Sequence, residues 1–185
     1  MSDSLSRDRQ PPQSAALPYR VRDGRVEVLL ITPRGGDGWI IPKGKVEARL
    51  GPRESARREA EEEGGVQGEV DRAPFGQYRH GSREGGPLVT VFLMRVAREM
   101  ASWAEAHERE RRWAGLDDVP GLVVDPGLAT LMRTAGEHLA NHAPAAWLAA
   151  EESRLRARGR RRRIVGSTLV LAAALGAAVI AFFAA

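Results

Sequence analysis

Apolar positions fall into short runs along the first two thirds of the chain. Val26-Glu27-Val28-Leu29-Leu30-Ile31-Thr32 reads as a strand entered through an Asp23-Gly24 turn. Trp39-Ile40-Ile41 is a short apolar run after a loop at residues 35–38. Residues 88–96 (LVTVFLMRV) form the clearest buried strand, and residues 111–114 a further short one. The spacing changes to a helical one over residues 52–63, and again from Pro126 to about His142, where Pro144 breaks it. Residues 145–158, rich in Ala, Glu and Arg, predict a third helix. The β-rich pattern begins at Ala15, and the polar, proline-bearing residues 1–14 are expected to be disordered. Strands and helices mix without regular βαβ alternation, so the predicted class is α+β.

The pattern changes again at the C-terminus. Residues 164–185 run for 22 positions without a charge, and ten of them are Ile, Val, Leu or Phe. At ~1.5 Å per residue this is roughly 33 Å of helix, against roughly 30 Å of bilayer hydrocarbon. No polar face interrupts the run, which argues against a core or partner helix. Seven arginines (Arg154, Arg156, Arg158, Arg160, Arg161, Arg162, Arg163) precede it and mark a cytoplasmic flank. The expected organisation is a disordered segment 1–14, a folded domain 15–142, a basic helical linker 143–163 and a transmembrane helix 164–185. The polar first residues lack an apolar h-region, so no signal peptide is expected. A single-pass C-terminal anchor in the cell inner membrane, with the folded domain in the cytoplasm, follows as an expectation.

Composition narrows the chemistry. The chain has 185 residues, no cysteine and a formal charge of +4. Without those seven arginines the charge becomes −3. The basic character therefore belongs to the tail, and no nucleic-acid polymer is an expected partner. Zero cysteine excludes a disulfide scaffold, a Cys-ligated zinc and a thiol nucleophile.

The informative segment is residues 41–66, IPKGKVEARLGPRESARREAEEEGGV. Pro52 suits a first helical position and Gly64-Gly65 a helix stop. On that helix Glu59, Glu62 and Glu63 lie at i, i+3 and i+4 and share one face, while Ala56 and Ala60 form a small apolar stripe. Taken as charge pattern alone, this is a solvated acidic face with Arg57 and Arg58 as surface partners. If the face is enclosed, a cation must neutralise it, and hard carboxylate oxygens select Mg²⁺ or Mn²⁺.

Spacing decides between these readings. Gly44, then Arg58-Glu59-Ala60, Glu62-Glu63 and Gly65-Val66 resemble the Nudix box, G-x5-E-x7-R-E-U-x-E-E-x-G-U. One position departs: Leu50 stands where the family has its first glutamate. A leucine packed inward would be tolerated there, and Glu47 or Glu54 are alternative sources of the missing charge. The resemblance, over about residues 15–139, implies an α/β/α sandwich around a mixed sheet. It implies Glu62 and Glu63 as metal ligands, Glu59 as ligand, general base or both, and the Gly44 carbonyl as a further ligand. Arg58 would orient the glutamates. The implied reaction is metal-dependent hydrolysis of a diphosphate linkage.

Three weaker likenesses point to one branch. Trp39-Ile40-Ile41-Pro42-Lys43-Gly44, the exit Glu63-Gly64-Gly65-Val66-Gln67-Gly68 and the stretch from Trp103 to Trp113 resemble the diphosphoinositol polyphosphate and diadenosine polyphosphate hydrolases. A small, phosphate-rich diphosphate substrate is therefore expected. ADP-ribose or another nucleotide sugar, an oxidised nucleoside triphosphate, and a non-catalytic nucleotide-binding module at the membrane are the alternatives. Arg20, Arg22, Arg34, Lys43, Lys45 and Arg79 are candidate phosphate contacts, with Lys43 and Lys45 foremost because they flank Gly44. Glu105, Glu108 and Glu110 include a candidate further carboxylate, and His80 stands alone in a Gly/Ser-rich loop.

Overall fold

In the computed structural model, residues 11–81 and 86–141 are described. They form a mixed sheet with strand order β4-β6-β1-β2-β7, where β1 is Gln13–Arg22, β2 Arg25–Ile31, β4 Val66–Val70, β6 Leu88–Glu99 and β7 Arg111–Gly115. Two short strands complete it: β3 (Lys43–Lys45) pairs with β1, and β5 (Gly76–Arg79) with β6. The β1–β6 pair is parallel and the other pairings are antiparallel. Each central strand changes partner along its length. β1 pairs with β3 through residues 13–15 and with β2 through residues 19–22. Pro18 falls near that handover, where the missing N–H leaves no gap in either antiparallel ladder.

Alternation along the strands sorts the core into two layers. Ala15, Leu17, Val28, Leu30, Val89, Val91 and Leu93 share one cluster with Leu128, Met132, Ala135 and Leu139. The latter four lie on a helix, α3, at residues 126–141. Ala16, Leu29, Phe92 and Met94 face the other way, onto Ala56 and Ala60 of helix α1 (Gly51–Gly64). A one-turn helix, α2 (Val119–Leu122), precedes α3. The α/β/α layering expected of the domain is thus present.

Helix α1 begins with Pro52 at its first turn and ends at Gly65, whose φ of 63° is left-handed. A Cβ at Gly65 would also meet the Trp103 ring 2.6 Å away. Trp103 donates its indole N–H to the Glu63 carbonyl, and Arg111 donates to the carbonyls of Gly65 and Met100 while lying over the Trp103 ring. The loop after β6 therefore closes over the C-terminus of α1 and supplies donors to its orphan carbonyls.

One expectation is adjusted. β1 starts at Gln13, so the ordered fold begins before the predicted boundary at residue 14; the pairing with β3 and β6 extends the strand past its apolar residues. Residues 1–10, the linker 143–163, the helix at 145–158 and the span 164–185 lie outside the described residues. Among the described residues no helix is long and apolar enough to cross a membrane.

Candidate metal and phosphate site

Helix α1 carries its glutamates to the point where β3 and the loop after β6 meet. Glu59 lies against Gly44: a Cβ on that glycine would overlap the Glu59 Oε1 atom and come within 2.8 Å of Oε2. A side chain at position 44 would therefore displace the Glu59 carboxylate from this position. One turn on, Glu63 is buried, and its Oε2 accepts the Lys43 backbone N–H at 2.9 Å. Its Oε1 accepts from the Arg109 Nη2. Arg109 is itself only 7% exposed. It donates through Nε to Glu105 at 2.6 Å and through Nη1 to the Thr32 carbonyl at 2.8 Å.

The outer side of the same helix is wired differently. Arg58 donates through Nε to Glu62 at 2.6 Å and through Nη1 to both oxygens of Glu47, at 3.0 and 3.1 Å. Glu54 is held by Arg57 at 2.6 Å and so is committed elsewhere. Leu50 is 39% exposed, so it is not buried in the core. It is the N-cap residue of α1, in a turn closed by its own N–H on the Glu47 carbonyl.

Glu59 enters none of these ion pairs. Burial, then repulsion from Glu63, Glu62 and Glu105, pushes its carboxyl up to about 7. Burial also raises Glu63, against the Lys43 amide and Arg109, and lowers the Lys43 ammonium, against the Glu63 charge. Among the described residues no three carboxylates or imidazoles converge in ligating geometry. Arginines hold Glu62 and Glu63 instead. The donor set nevertheless suits a hard divalent cation: Glu59 feels the charges of Glu63, Glu62 and Glu105, and it enters no ion pair among the described residues.

The predicted phosphate contacts divide. Lys43 faces the cluster, within the electrostatic reach of Glu63, Arg109 and Glu59. Lys45 is exposed at the end of β3. Arg34 pairs with Glu105 and Glu108 on the rim. Arg79 donates to the Gly86 carbonyl, beside a second site at which His80 Nδ1 meets Asp125 Oδ2 at 2.9 Å. Arg20 and Arg22 are not brought to the cluster. Arg20 is six residues along β1 from Ser14, the partner of Gly44, or roughly 20 Å of strand. It is held by Glu27 and Glu99 and lies over the Trp113 ring. Arg22 is further along, beside Asp23.

Sequence reading did not single out Arg109. Its Glu105 partner lies four residues earlier, but the contact with Glu63 depends on how the loop returns over α1. A cavity of about 580 Å³ adjoins this point, walled by Thr32, Pro33, Trp39, His107, Arg109 and Glu110. Arg109 thus joins the cavity to the carboxylates.

Residues 11–135 match the NUDIX domain family. The chain belongs to the Nudix family. It carries a Nudix hydrolase domain, and hydrolases of this family generally need a divalent metal. The chain is 33% identical over 112 residues to Nudix hydrolase 4 of Arabidopsis thaliana, covering 55% of this chain and 54% of that protein. It is 29% identical over 108 residues to diphosphoinositol polyphosphate phosphohydrolase 2 of Rattus norvegicus, covering 57% and 59%. The chain spans about half the length of the curated relatives it matches. The C. elegans Ap4A hydrolase superposes with a TM-score of 0.58 at 20% identity, covering 70% of this chain and 98% of that one, which is a likeness of fold.

Proposed function

We propose that this chain is a Mg²⁺- or Mn²⁺-dependent hydrolase of a diphosphate linkage in a small phosphate-rich molecule, of the dinucleoside polyphosphate or diphosphoinositol polyphosphate class. The observation that carries this reading is the row of α1 carboxylates, with Glu59 against Gly44 and raised to about 7 by burial and its acidic neighbours. Glu59, Glu62 and Glu63 would hold the cation, with the Gly44 carbonyl. When bound, the cation supplies a lowered pKa for a water molecule and neutralises charge on the leaving diphosphate.

The chain's own residues do the rest. Glu59 serves as ligand, general base or both, as the box resemblance implies; in the metal-free chain burial and the neighbouring carboxylates raise its carboxyl to about 7. Lys43 is a cation at the edge of the cluster, suited to a phosphate oxygen. Arg109 orients Glu63 and Glu105 and closes one wall of the cavity, which is large enough for the second moiety of such a substrate. The uncharged residues 164–185 and the arginines before them support an anchor in the inner membrane with the domain on the cytoplasmic side.

The test is a substrate panel with Mg²⁺ on the full-length chain in detergent: diadenosine polyphosphates, a diphosphoinositol polyphosphate, ADP-ribose and nucleoside triphosphates. Hydrolysis of either of the first two in clear excess of the others is expected. Preference for ADP-ribose would replace the substrate class, and no turnover of any of them would favour a binding module. For the anchor, carbonate washing should leave the chain in the membrane fraction. Release by salt or carbonate would contradict it.

A further inference from the structure

We propose that Glu47 is a positioning residue: it supplies to Arg58 the carboxylate that the box pattern places at position 50, and through Arg58 it sets Glu62. This rests on the reading of Glu62 as a cation ligand. Leu50 offers no charge and is partly exposed. Glu54 and Glu61, the other nearby carboxylates of α1, are both held by Arg57. Glu47 is free to meet Arg58, and the loop is built to hold it there. Its backbone N–H donates to the buried Ser55 Oγ at 3.0 Å, and its carbonyl accepts the N–H groups of Leu50 and Gly51. Ser55 in turn donates to the Gly51 carbonyl at 2.8 Å. With the backbone of Glu47 fixed at both ends, its carboxylate receives Arg58 Nη1 while Arg58 Nε holds Glu62 Oε1. The result is a chain from loop to guanidinium to ligand. Both members of the Glu47–Arg58 pair are exposed, so its stabilising energy is small and its consequence is orientation.

The test uses the full-length chain and Mn²⁺ as probe, with free and bound metal measured by electron paramagnetic resonance. The variants are Glu47→Gln, Leu50→Glu and the two combined, each checked for folding by circular dichroism. Glu47→Gln, which keeps volume and removes charge, is expected to weaken Mn²⁺ binding about 10-fold, the scale of losing an outer partner of a ligand. Leu50→Glu alone should change little, because Arg58 already has a carboxylate. In the double variant the new glutamate should restore most of the lost affinity. Unchanged affinity in Glu47→Gln overturns the proposal. So does a loss that Leu50→Glu fails to recover, since Glu47 would then act through its backbone turn rather than its charge. Both outcomes leave the metal reading standing. A wild-type chain that binds no Mn²⁺ overturns the metal reading and this proposal together.

Discussion

Two arginines serve the same helix under opposite conditions. Arg109 and Glu63 are 7% and 8% exposed, whereas Arg58 and Glu62 are 46% and 41% exposed. The inner pair closes a network with Glu105 and the Thr32 carbonyl, and each charge in it has been taken from water. The outer pair stays hydrated and exchanges its partners at little cost. The inner side therefore fixes the architecture, and the outer side adjusts the ligand set. This explains how the box tolerates Leu50. A charge that leaves position 50 on a solvent-facing loop is replaced from Glu47, three residues away. A charge that left position 63 would strand Arg109.

The sharpest way to break the comparison is to remove Arg109. Arg109→Met leaves Glu63 and Glu105 without their shared cation, and a loss of about 3–5 kcal/mol in urea unfolding is expected. A loss below about 1 kcal/mol, the level of a surface pair, would erase the distinction between the two sides. Glu62→Gln comes next and acts on function instead. Turnover should fall by at least about 100-fold, beyond the range for an outer partner, with the unfolding midpoint nearly unchanged. Near wild-type rates at saturating Mg²⁺ would remove Glu62 from the ligand set.

Asp125 supplies a third case, an almost fully buried carboxylate compensated mainly by N–H groups. Its oxygens accept from the Leu128 N–H at the start of α3, from the Gly81 N–H after β5 and from His80. Burial acts to raise its carboxyl, and those donors outweigh it and hold the group below the ordinary carboxylate range. That stability is present above the unfolded pKa and lost as pH falls through the folded one. Asp125→Ala should cost about 1–2 kcal/mol by the same unfolding assay, as loss of a helix cap does. The smallest effect is expected for Arg58→Gln, under about 1 kcal/mol of stability, because both its partners regain water.

How much of this was legible in the chain depends on the range of the interaction. The box glutamates, the Pro52 start and the Gly65 stop are local, and each stands where spacing placed it. The strand at residues 88–96 was readable because its residues are buried on both faces of the sheet. Arg109 reaches Glu63 across 46 positions and His80 reaches Asp125 across 45, separations at which periodicity is silent. Arg20 and Arg22 lie away from the carboxylates for a related reason. Composition counts basic residues near the box in sequence, whereas the direction of β1 carries these two away from Gly44.

The central claim is that the crowded carboxylates around Glu59 are the seat of a divalent cation. In the metal-free chain, burial and then the charges of Glu63, Glu62 and Glu105 raise Glu59 from 4.5 to about 7. The folded state thus keeps a proton that the unfolded state releases, so this group's contribution to stability falls as pH rises from about 4.5 to about 7. A cation competes for the same site and must displace that proton. Mn²⁺ affinity measured from pH 5 to pH 8 by electron paramagnetic resonance tests this directly. The account predicts affinity that climbs up to about tenfold per pH unit below pH 7 and levels off above it, with the slope flattened in Glu59→Gln. Affinity independent of pH across that range, or the same slope in Glu59→Gln, would contradict it.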